Sequence, residues 1–68
     1  MNRLYLLQCV DGGWGWGETG ALALMCAPDA DYVQHHMPGG WKYTDLGPTY
    51  KNFYLKHLSK LTEQDLAS

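Results

Sequence analysis

Arg3-Leu4-Tyr5-Leu6-Leu7-Gln8-Cys9-Val10 is the stretch on which the fold turns. It is short, apolar and aromatic, and it stops at a breaker, Asp11-Gly12-Gly13, which is how a strand reads in sequence. Side chains alternate across a strand. Leu4, Leu6 and Val10 therefore point one way, and Tyr5, Leu7 and Cys9 the other. Both sets are apolar. A strand of this kind sits in the middle of a sheet, or has its second face covered by something else.

Working outward, Asp11 to Gly20 (DGGWGWGETG) holds five of the eight glycines and two of the three tryptophans. Each glycine costs about 1 kcal/mol in a helix, so the segment reads as a loop or wide hairpin connection displaying Trp14 and Trp16. Ala21 to Ala27 (ALALMCA) is a second strand, paired antiparallel with the first. Leu22, Leu24 and Cys26 share one of its faces, and Ala21, Ala23 and Met25 the other. Asp29 follows as a helix N-cap, with Asp31 adding negative charge to the first turn. The helix runs from Ala30 to His36 or Met37 and buries a stripe of Ala30, Val33 and Met37. Pro38-Gly39-Gly40 ends it. Trp41 to Leu46 reads as a third strand, stopped by Gly47-Pro48. From Thr49 to Leu61 the spacing of Tyr50, Tyr54, Leu58 and Leu61 predicts a helix, although the aromatic opening Tyr50 to Tyr54 also suits a strand. Thr62 to Leu66 has the look of a short, acid-rich helical turn. The expected fold class is α+β. It is a single domain over 1–68, with a core of 2–47 in the order β-β-α-β, a small antiparallel three-stranded sheet, one packed helix, and a C-terminal helical extension over 49–68.

The whole chain has 68 residues, with five Lys plus Arg against seven Asp plus Glu, for a formal charge of −2. Five cations make no basic stripe, so binding nucleic acid through its phosphates is not expected. The 46% hydrophobic and 18% charged composition is that of a folded chain. No apolar run approaches the roughly 20 residues that span a bilayer. No signal-peptide h-region follows Met1-Asn2-Arg3, so the expected location is the cytoplasm, with no membrane partner. A domain this small buries only about 60% of its unfolded surface. Nine aromatics (three Trp, five Tyr and one Phe) make 13% of the chain and supply large areas to bury. The second apolar face of the first strand needs a cover, from the C-terminal helix or another copy of the chain. A homodimer or higher oligomer is therefore expected.

Little here points to catalysis. His35 and His36 are adjacent, so on a helix their rings diverge by about 100° and do not readily share a metal. They read as helix-end histidines, favoured near the C-terminus by the dipole. Cys9 and Cys26 show no metal-ligand spacing. In a reducing compartment they read as two small buried thiols, and a disulfide between them requires neighbouring strands. Apolar surroundings raise a thiol pKa, the wrong direction for a nucleophile. Gly13-Trp14-Gly15-Trp16-Gly17 lacks the spacing of a phosphate loop. Lys51, Lys56 and Lys60, near His57, read as a solvated helix face. No enzyme, metal or cofactor is expected.

The tryptophans carry the functional signal. Trp and Tyr dominate binding hot spots. Trp14 and Trp16 either fold back as lids or anchor a partner, with Glu18 and Thr19 supplying polar contacts. Trp41 is a further wall or a core residue at a strand start, and Tyr43 stands beside it. Partner binding through Trp14, Trp16, Glu18, Thr19, Trp41 and Tyr43 is the first expectation. The rival is an oligomeric sponge for a nucleotide-like small molecule, held between tryptophans and the main-chain amides of the Gly-rich loop.

Leu4-Tyr5-Leu6-Leu7, then Ala23-Leu24-Met25-Cys26-Ala27-Pro28-Asp29-Ala30-Asp31, then Trp41 and Leu46-Gly47 resemble a loose class of small uncharacterised bacteriophage proteins. The resemblance covers residues 2 to 47. It departs at Tyr32-Val33-Gln34-His35-His36, where that class carries an acidic, Arg-containing helix, and it does not extend past Gly47. It implies a phage-encoded accessory protein with half of a ferredoxin-like fold and no catalytic residues. The expected function is then to bind and block a host protein in the host cytoplasm, with antiviral defence components as the target class.

Overall fold

The computed structural model describes residues 1–11 and 19–57. Among them run β1 (Asn2–Cys9), β2 (Leu22–Ala27), α1 (Ala30–His36), β3 (Trp41–Thr49) and β4 (Lys56–His57). The strands form one antiparallel sheet in the order β3-β1-β2-β4. This is a small α+β fold. β1 is central, as its two apolar faces require.

Register sorts the side chains. Tyr5 lies opposite Met25, and Leu7 opposite Ala23. On the other side, Leu7 lies opposite Tyr43 and Cys9 opposite Trp41. Tyr5, Leu7, Cys9, Ala23, Met25, Ala27 and Trp41 therefore share one face and form the core with Val33 of the helix. Tyr5, Leu7, Met25 and Val33 are among the largest fully buried side chains. Burying each such side chain contributes about 1.5–3 kcal/mol. The helix is placed as the sequence predicts. The Asp29 carboxylate accepts the Tyr32 N–H at 2.9 Å, the Met37 N–H donates to the Val33 carbonyl at 2.8 Å, and Ala30 and Met37 pack against the core beside buried Val33.

The chain after Leu46 departs from expectation. β3 does not stop at Gly47-Pro48 but continues to Thr49. The direction of its amides explains why. Cys9 exchanges main-chain bonds with Gly20 and Ala21 on the β2 side, whereas the Val10 N–H donates to the Gly40 carbonyl on the β3 side. Alternating along β1, Gln8, Leu6, Leu4 and Asn2 turn their amides toward β3. Their partners Lys42, Thr44 and Thr49 turn inward to meet them, while Gly47, opposite Leu4, gives its N–H to the Asp45 carboxylate. Trp41, Tyr43, Asp45 and Pro48 point outward from the sheet. Pro48 thus sits where a strand at the edge needs no N–H, and costs no ladder bond. Leu46 is an extra residue between Asp45 (opposite Tyr5) and Gly47 (opposite Leu4). This bulge uses the positive φ of Gly47 (109°), which a residue without a Cβ adopts without strain. The Asp45 carboxylate caps it by accepting the Gly47 N–H at 2.8 Å.

No helix forms over residues 49–57, so the predicted C-terminal helix is corrected there, and the sheet has four strands rather than three. The rest of the predicted extension, 58–68, lies outside the described residues. The predicted stripe of Tyr50 and Tyr54 is not buried, and Tyr50 is 92% exposed. Residues 50–55 instead carry the chain from β3 at one edge to β4 at the other. Asn2 Nδ2 donates to the Lys51 carbonyl at 3.2 Å on the way, and the Phe53 N–H reaches the Cys26 sulfur. These tertiary contacts override the helical spacing of its aromatics. Lys56 and His57, read as part of a helix face, sit instead opposite Leu24 and Ala23.

On the second face, Leu24 and Cys26 are 3% and 6% exposed, while Leu4, Leu6 and Leu22 are half-buried. Cys9 and Cys26 are both buried thiols. They point to opposite faces of the sheet, so they do not pair. Burial pushes the Cys26 thiol up, offset in part by the Phe53 N–H and Lys51.

Candidate functional site

The end of the sheet that carries the glycine- and tryptophan-rich connection is held by main-chain bonds. Gly20 N–H donates to the Cys9 carbonyl at 2.8 Å, and Cys9 N–H to the Ala21 carbonyl at 3.0 Å. The first stem is also tied sideways: the N–H groups of Val10 and Asp11 both donate to the Gly40 carbonyl, at 2.8 and 3.1 Å. Gly40 is required for this. Its φ is +83°, and a Cβ there would stand 2.6 Å from the Asp11 carbonyl oxygen. Both stems of the connection are thus fixed to one rigid platform made by the ends of β1 and β2 and the start of β3.

Six residues are predicted for the site. Thr19 is exposed on the second stem. Trp41 starts β3 opposite Cys9 and is 6% exposed, inside the core. It therefore supports the platform from beneath rather than standing on its surface. Tyr43 is half-buried two residues further along the same face. Its ring meets Tyr5 edge-on at 5.9 Å, and its hydroxyl accepts from Gln34 Nε2 at 3.0 Å, so the phenol is already engaged with the helix. Trp14, Trp16 and Glu18 lie outside the described residues. Val10 and Asp11 are exposed on the first stem. The sequence reading missed Asp11 and Gly40 as parts of this site. Their only signal was the Gly39-Gly40 doublet, which reads equally well as a helix stop.

Away from this end, Arg3 Nε donates to the Asp45 carboxylate at 2.8 Å. That contact and the Gly47 N–H hold the Asp45 carboxyl below the ordinary carboxylate range. Burial raises the Tyr5 phenol, and the negative charge of Asp45 adds to this. His36 stacks on Tyr32 with ring centroids 4.1 Å apart, and its Nδ1 lies 2.9 Å from the Tyr32 carbonyl. Tyr54 meets the same imidazole edge-on at 5.9 Å. This histidine fastens the end of α1 to the segment after β3. Among the described residues no group of three His, Cys, Asp or Glu is placed to hold a metal ion, and no pocket forms. No helix among them is long and apolar enough to cross a membrane.

Compared with protein-family models, curated proteins and solved structures, the chain finds no match.

Proposed function

We propose that this chain is a non-enzymatic accessory protein of phage type that binds a host protein and blocks it by occupying its surface, a component of antiviral defence being the target class. The observation that carries this reading is the clamped base of the tryptophan-bearing connection. The segment whose sequence carries Trp14 and Trp16 has its two stems tied to each other, and the first of them also to Gly40. A rigid base lowers the ordering cost that binding must overcome, and indoles are the side chains most enriched at binding hot spots. Exposed Thr19 and Asp11 offer polar contacts at the two stems, and Glu18 adds a carboxylate to the sequence of the connection. The phage origin and the host target rest on the resemblance of residues 2–47, and that step is analogy.

The test is a pull-down from host lysate with the full chain, followed by affinity measurement on the purified partner. The double substitution Trp14→Ala, Trp16→Ala is expected to weaken binding at least about thirtyfold, about 2 kcal/mol or more for a lost hot spot, while leaving far-UV circular dichroism unchanged. Undiminished binding by the double variant would place the surface elsewhere. Tryptophan fluorescence titrated with cyclic and linear nucleotides is expected to stay flat. A saturable response there, with no protein captured, would favour the small-molecule sponge.

A further inference from the structure

β3 is an edge strand, and among the described residues no strand lies outside it. Its regular part is short. Gly40, with its positive φ and its tie to Asp11, bounds one end, and the Leu46 bulge bounds the other. Five residues remain, Trp41 to Asp45, with Tyr43 at the centre. The main-chain groups of Tyr43 and Asp45 point away from β1, as the register requires. Beyond the bulge Pro48 has no N–H to offer, so pairing along this edge cannot extend past the window. Edges closed in this way are protected from open-ended aggregation yet keep room for one short partner strand.

We propose that this window pairs antiparallel with the same window of a second copy, about a two-fold axis at Tyr43, joining two sheets into one. The register is self-selecting. Tyr43 falls opposite the second copy's Tyr43, an aromatic cross-strand pair of the favourable kind. Lys42 falls opposite the second copy's Thr44, and Trp41 opposite the second copy's Asp45, so no like charges meet. A slip of two residues in one direction puts Lys42 against the second copy's Lys42. The same slip in the other direction runs Lys42 against the second copy's bulged Leu46. A two-fold contact of this kind is isologous and closes at two copies. It involves none of the stem and loop residues on which the host-binding reading rests, so it stands or falls independently of that reading.

The pair Lys42 and Thr44 gives a test that does not touch the core, because both side chains are exposed. In this register they form a non-hydrogen-bonded pair, the kind with Cα atoms about 4.5 Å apart and side chains closest. Each dimer has two such pairs. Sedimentation equilibrium of the full chain is expected to show a dimer. Thr44→Glu, which sets opposite charges across the axis, should tighten it about tenfold, and Thr44→Lys should loosen it about as much. In a mixed-label sample, NMR should show a cross-peak between the Lys42 Hα and the second copy's Thr44 Hα. A chain that stays monomeric at millimolar concentration overturns the proposal. So does a dimer blind to both substitutions with no such cross-peak, which would put the contact on another surface. If Thr44→Lys fails to fold, Thr44→Glu and the cross-peak still decide.

Discussion

The two faces of the sheet start from equally apolar sequence and end differently. On the helix side, Tyr5, Leu7, Met25 and Val33 are closed off completely. On the other, Leu4, Leu6 and Leu22 stay half-buried beside buried Leu24 and Cys26. Hydrophobicity alone does not separate them, since β1 offers leucines to both. The separation comes from where α1 lands. Only Pro28 and Asp29 lie between the end of β2 and the first turn of α1, and the Asp29 cap fixes the angle at which the helix leaves. The helix stripe of Ala30, Val33 and Met37 then meets Tyr5, Leu7 and Met25. A face becomes the core because a short, capped connection delivers a second layer to it.

The largest expected effect comes from comparing the two faces directly. Met25→Ala removes a fully buried side chain opposite Tyr5 and should cost about 2–5 kcal/mol, the usual range for a core truncation. Leu6→Ala, on the half-buried face next to β3, should cost no more than about half as much, because part of its transfer free energy is already forgone to solvent. Urea denaturation of both variants against the parent chain measures the difference. Equal losses would mean that the second face is as closed as the first, and the contrast drawn between them would fail.

The helix-covered half was legible in the sequence for local reasons. Alternation in Arg3–Val10 and Ala21–Ala27, the Asp29 cap and the Pro38-Gly39-Gly40 stop are each written within a few residues, and each holds in the structure. The chain beyond Leu46 was not legible, because its conformation depends on what lies across the sheet. Pro48 ends a strand unless its missing N–H points outward, and that direction is set by the bulge at Leu46, which brings Pro48 opposite Arg3. Tyr50 and Tyr54 sit at helical spacing, yet they belong to a crossing segment whose course is set by Asn2 and Cys26. Of the candidate site, the presence of the tryptophan connection was readable. The clamp beneath it was not, since it is made from main-chain groups of Asp11 and Gly40 that carry no side-chain signature.

That clamp also keeps β3 in register, and register decides which face Trp41 and Tyr43 occupy. A slip of one residue would turn both away from the helix. Gly40→Ala forces a Cβ against the Asp11 carbonyl at a positive φ. It should cost about 1–3 kcal/mol. Gly39→Ala, one residue earlier, has nothing within 4 Å of the new Cβ and should be close to neutral. Thermal unfolding compares the two. Nuclear Overhauser contacts between Tyr43 and Tyr5 report whether Gly40→Ala also shifts the strand. A Gly40→Ala chain as stable as Gly39→Ala would remove the clamp from the account of both the register and the loop platform.

The smallest effect concerns the bulge, where side-chain alternation changes parity and Asp45, on the helix side, is followed by Gly47 on the other. Asp45 holds this corner with a charge that accepts from Arg3 and from the Gly47 N–H. These contacts lower its pKa in the folded chain. A carboxyl with a depressed folded pKa adds stability that is complete above its unfolded value and is lost as pH falls through the folded one. Asp45→Asn keeps an oxygen for the Gly47 N–H but loses the charge, so the parent chain should be the more stable near neutrality. The gap should narrow as the solution is acidified below the ordinary carboxylate range. Both partners are exposed, and surface ion pairs contribute little, so the melting-temperature difference should be small and should shrink further with added salt. A gap independent of pH would show that the bulge is held by hydrogen-bond geometry alone. The change of face at Leu46 would then owe nothing to the Arg3 charge.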